Sequence, residues 1–133
     1  MMRDDIEQFK RELRSYKTYK KYISKLKDDL LVINSQLIGL RSPNLNGIPS
    51  TNKEDKRLDL FDKKSDLESK LSLYKSMILL TDSRLLRLDK VERDILTLVY
   101  MENVSIKKIA RTFYMSEASV FRWINQIIEK ALN

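Results

Sequence analysis

Lys107, Lys108 and Arg111 stand close together, and shortly after them Glu117, Ala118, Phe121, Arg122 and Asn125 recur at steps of one, three and four. On two helices the first set makes a basic cluster and the second a single outward face. The chemistry open to such sets is recognition of a nucleic acid. Cations on a helix that crosses a duplex meet phosphates, whereas an arginine fork in the middle of the following helix can reach the paired acceptors of a guanine. Ser105 and Ser116 immediately precede the two segments, where a hydroxyl can cap a helix and face the nucleic-acid backbone. The base-facing set is therefore Glu117, Ala118, Phe121, Arg122 and Asn125, and the backbone-facing set Ser105, Lys107, Lys108, Arg111 and Ser116.

Those side chains need two short helices held across one another, and the apolar pattern from Leu88 to Leu132 supplies them. A first helix has Val91, Ile95, Leu98 and Val99 at helical spacing and opens on Asp89 with Glu92 three residues on, a capping box. Asn103 ends it, since asparagine tolerates the left-handed conformation common at helix ends. The second carries Ile106, Ile109, Ala110 and Phe113 on one side. After Tyr114, Met115 and Ser116, the third holds Val120, Trp123, Ile127 and Ala131 on its inner stripe. This is helix-turn-helix spacing: Ala110 permits close approach of the crossing helices and Met115 plugs the turn.

Glu92-Arg93-Asp94-Ile95-Leu96, Val104-Ser105-Ile106-Lys107-Lys108-Ile109-Ala110, Met115-Ser116-Glu117-Ala118-Ser119-Val120 and Lys130-Ala131-Leu132 together resemble the region-four DNA-reading domain of bacterial sigma factors. The whole chain resembles small phage-encoded late-transcription regulators of the RinA and ArpU kind, in which a helical N-terminal part precedes a sigma-like domain. The resemblance implies that the second motif helix grips promoter DNA. One position departs from the pattern: Tyr114 stands where the family has Gly or a small or amide residue. A left-handed tyrosine costs ~1 kcal/mol or more, which packing would have to offset.

Neither cysteine nor histidine occurs. Disulfides and thiolate chemistry are excluded, and the commonest general base and metal ligand are missing. With no Gly-rich phosphate loop either, the expectation is no catalysis, no metal and no cofactor. The longest apolar runs, such as Leu30 to Ile33, fall far short of the ~20 residues a membrane span needs. The N-terminus is charged from Arg3 onward, unlike a signal peptide. A soluble protein of the bacterial host cytoplasm, without membrane contact, is expected.

Two glycines, two prolines and 34% charged residues describe an all-α protein. From Ile6 to Leu40 apolar residues follow at steps of three and four, predicting one helix from about Arg3 with a coiled-coil seam. Within it Arg14 to Lys27 interleaves lysines with Tyr16, Tyr19 and Tyr22, a solvated face with tyrosines in a seam or a patch for an acidic partner. Residues 41–51 hold both prolines and one glycine and read as a loop, after which Thr51 and Glu54 form a capping box. The second long helix, with Leu60, Leu67, Leu71, Tyr74, Ile78 and Leu85, runs to about Arg87.

A long antiparallel helical hairpin, residues 1–88, thus precedes a small three-helix helix-turn-helix domain, residues 89–133. Such a hairpin leaves Phe9, Tyr22, Phe61, Leu73, Met77 and Leu80 on faces it does not use, which predicts a homo-oligomer, dimer or higher, formed through the arm. The net charge of +7 is concentrated in that arm, for residues 89–133 hold seven basic and six acidic side chains.

Three functions follow as candidates. The first is a sequence-specific regulator binding double-stranded DNA, with the resemblance adding activation of phage late genes. The second is a small terminase subunit, which by resemblance would carry its DNA motif first. The third is an adaptor that mimics a sigma domain on host RNA polymerase, kept open by the near-neutral C-terminal third and by Glu117.

Overall fold

The computed structural model describes residues 3–41 and 50–133, and these are all-α, with no strand among them. Helix α1 runs Arg3–Arg41, α2 Ser50–Leu85, α3 Lys90–Leu96, α4 Ile106–Thr112 and α5 Glu117–Leu132; a π-helical turn, Thr97–Met101, continues α3. The Pro–Gly connection and the side chain of Thr51, with the capping box expected there, lie outside the described residues. No helix of the described residues is long and apolar enough to cross a membrane. The chain forms two compact units, Lys20–Ser76 and Met1–Tyr19 with Met77–Asn133.

Lys20–Ser76 is a pair of antiparallel helices. Ile33 and Leu37 of α1 pack on Leu60 of α2, with Leu40 and Leu67 beside them, and Tyr22 meets Tyr74 with ring centroids 5.4 Å apart. The three-and-four spacing anticipates this seam, yet two helices enclose little: Leu26, Ile33, Leu37 and Leu60 are the buried apolar residues described here. The i,i+4 ion pairs Asp59–Lys63 and Lys64–Glu68 are solvated and contribute no more than about 0.5 kcal/mol each.

In the other unit the first turns of α1 and the last turns of α2 pack with α3, α4 and α5 around one core. Phe9 and Leu13 are fully buried among Leu88, Ile95, Leu96, Ile109, Val120, Ile124, Ile127 and Ile128. The hairpin reading left Phe9 on an unused face; instead the C-terminal helices cover it. Burying each of these two side chains contributes roughly 1.5–3 kcal/mol. Polar groups fix the same arrangement. The Tyr16 hydroxyl donates to Asp82 at 2.6 Å, Arg84 pairs with Glu12 and lies over the Phe9 ring, and Arg87 donates to the Ala131 carbonyl at 3.1 Å. Arg14 stands over the Tyr100 ring, 5.4 Å from its centroid. Thr81, an interruption of the apolar stripe in the sequence, is buried and donates its hydroxyl to the Met77 carbonyl one turn back, so no polar atom is stranded.

Helix α2 stops at Leu85, slightly short of the expected end, and a tight turn through Leu88 leads into α3. Asp89 caps α3 by accepting from the Glu92 amide at 2.9 Å, while the Glu92 carboxylate accepts from the Asp89 amide at 3.0 Å. The Glu92 amide bond holds the Asp89 carboxyl below the usual carboxylate range. Glu92 also takes Lys130 of α5 at 2.9 Å, and this hydrogen bond raises the ammonium above its ordinary value. The inner stripe keeps Ile95 and, half-buried against the core, Leu98 and Val99, and differs from the expected one at Val91. Val91 is half exposed, and Ile95, Leu96 and Tyr100 are the buried residues. The π-helical turn explains Tyr100: its wider winding, with the Glu102 amide bonded to the Thr97 carbonyl, carries the ring into the core. Burial there pushes the Tyr100 phenol up.

Candidate nucleic-acid interface

Helix α4 begins where Ser105, in extended conformation, accepts from the Lys108 amide at 3.2 Å. Its inner side, Ile109 and Ala110, is buried, which turns Lys107, Lys108 and Arg111 to solvent. None of the three cations makes an ion pair among the described residues, so their charge is available to an anion. Among the described residues other than glycine, the left-handed positions are Asn103, φ 55°, ending the first segment, and Tyr114, φ 53°, in the helix-turn-helix turn. Tyr114 is 96% exposed, so its own packing offsets none of the strain. The turn is held by neighbours: the Met115 amide donates to the Ala110 carbonyl at 2.9 Å, and Met115 packs half-buried against the core.

Ser116 then caps α5 by accepting from the Ser119 amide at 3.1 Å. Val120, Ile124, Ile127, Ile128 and Ala131 form the buried side of α5. Trp123, expected on that stripe, is at its edge instead, half-buried and edge-on to Phe113 with centroids 5.4 Å apart. Val120, Ile127 and Ala131 of the expected stripe are buried, and Ile124 and Ile128 broaden it. The opposite side is open: Glu117, Ala118, Arg122 and Asn125 are exposed, and Phe121 is 55% exposed. Ser105 and Ser116 are exposed as well, so every candidate contact is solvent-accessible.

A hydroxyl chain ties the cap to that face. The Ser116 hydroxyl donates to the Ser119 hydroxyl at 2.9 Å, and Arg122 donates one Nη2 hydrogen to Ser119 at 3.2 Å. Arg122 makes no ion pair with Glu117, which leaves the rest of its fork free. Ser119 and Gln126, which belong to neither the base-facing nor the backbone-facing set, line a groove of about 400 Å³ with Met115, Arg122 and Trp123. Their spacing of three and four from Arg122 was the available signal, but small and amide side chains do not announce a role by type.

Residues 78–130 match the family described as Sigma-70, region 4. No curated protein and no solved structure matches the chain. The matched span is a sigma-like helix-turn-helix, and it begins inside α2, ahead of the Asp89 cap.

The bare turn generates a stability prediction. Replacing Tyr114 by Gly removes left-handed strain of about 1–2 kcal/mol and loosens the unfolded chain by about 0.4–1 kcal/mol. Tyr114→Gly should raise the urea midpoint by the equivalent of up to ~1.6 kcal/mol at unchanged m. A lower midpoint would mean that the exposed ring stabilises the fold.

Proposed function

We propose that this chain is a sequence-specific, DNA-binding transcription regulator that activates phage late genes in the cytoplasm of a bacterial host, with no catalytic step and no cofactor. The observation that carries the DNA-reading part is the outward face of α5, open from Glu117 to Asn125, next to the unpaired cations of α4. α5 would enter the major groove with Arg122 on a guanine edge, while Lys107, Lys108, Arg111 and the cap hydroxyls Ser105 and Ser116 meet phosphate. The words phage, late and activator rest on the resemblance to the RinA and ArpU kind.

A second reading is the adaptor that docks on host RNA polymerase through the same face. It is favoured by exposed Glu117, an acid at the mouth of α5 where a phosphate would otherwise be welcome. Salt dependence separates the two. As a DNA reader, the full chain should lose affinity for duplex DNA steeply as salt rises. Lys107→Ala or Lys108→Ala should weaken all sequences alike and flatten the slope by up to about one unit each, while Arg122→Ala should relax preference at one base pair. Duplex binding indifferent to salt would favour the adaptor.

Self-association through the arm is part of the proposal. Leu31, Val32, Ile38 and Leu58 of Lys20–Ser76 are each more than half exposed, which is more apolar surface than two helices can hide. Sedimentation of the full chain at micromolar concentration should give a dimer or higher species, and a monomer would contradict this.

A further inference from the structure

Phe121 is the unexplained residue of the outward face. It is 55% exposed, packs into no core cluster, and follows exposed Ala118 by one helical turn in the first half of α5. Around this apolar pair stand groups that can hydrogen-bond: Glu117 four residues before Phe121, Asn125 four after, and Arg122, held at one nitrogen by Ser119. On a face meeting only phosphate and sugar, a phenyl ring and a methyl group would strip water from polar oxygens without replacing its hydrogen bonds. The floor of the major groove offers one apolar group, the C5-methyl of thymine.

Resting on the DNA-reading proposal, we infer that Phe121, with Ala118, reads thymine methyl groups and so fixes a thymine in the recognised site beside the base pair faced by Arg122. The pair also selects against alternatives. Cytosine in the same place presents C5–H instead of a methyl group, so Phe121 and Ala118 would bury less apolar surface against it. Glu117 and Asn125 flank the ring and confine that desolvated spot to its immediate neighbourhood.

Deoxyuridine differs from thymidine by the methyl group alone, so the test needs no change of sequence. The full chain is used to select a duplex from a random pool, and each thymine of the protected site is replaced singly by deoxyuridine. Losing one buried methyl should weaken binding about fourfold at one or two thymines and leave the others silent. Phe121→Ala, which removes an exposed side chain and should melt with the wild type, should lose most of the preference for thymine over uracil at those positions, Ala118 alone supplying the remainder. The inference is overturned if no uracil substitution weakens binding, if the protected site contains no thymine, or if Phe121→Ala keeps the wild-type preference for thymine. Silent uracil substitutions with Arg122→Ala still relaxing one base pair overturn this inference alone. A wild-type chain that binds no duplex overturns the DNA-reading proposal and this one together.

Discussion

Burial of Phe9 and Leu13 among α3, α4 and α5 is the contact on which the C-terminal helices depend. α3 and α4 have seven residues each, and helices of that length are marginal in water without tertiary packing. The N-terminal turns of α1 and the end of α2 complete their core, and the Tyr16–Asp82 and Glu12–Arg84 contacts hold those two segments in register. The region-four match beginning at residue 78 agrees with a unit that includes the end of α2.

With that core in place, the face of α5 is set by a few local bonds. Asp89, Ser105 and Ser116 cap three successive segments, and the Met115–Ala110 bond closes the turn around a strained and exposed Tyr114. Strain held by neighbours at a turn is a cost that the surrounding packing must cover, and here Met115 and Ala110 do so. The Ser116–Ser119–Arg122 chain then links the cap of the helix to the side chain best suited to a guanine edge.

Much of this was legible in the sequence because it is written in local signals. The capping residues, Asn103 at the left-handed end, Ala110 at the close crossing and the exposure of Lys107, Arg111 and Arg122 all follow from residue type and spacing. What escaped depends on contacts distant in the chain or on winding. Phe9 and Leu13 fit a helical seam equally well whether α2 or α5 covers them, so the pattern alone could not show their place in the C-terminal core. Val91 fits the stripe of an ideal helix yet lies half exposed, and the π-helical turn that adds Tyr100 to the core beside Leu98 and Val99 has no marker in residue type. Spacing puts Trp123 in the interior, where it reaches only the edge, while Ile124 and Ile128, equally well spaced, fill it.

The most direct test of this account compares residues 89–133 as an isolated fragment with the full chain, by circular dichroism and by binding to a duplex selected with the full chain. Without Phe9, Leu13 and the end of α2, the fragment should lack a cooperative melting transition and bind that duplex far more weakly. A fragment that melts cooperatively and binds with the affinity of the full chain would contradict the central role given to the N-terminal turns.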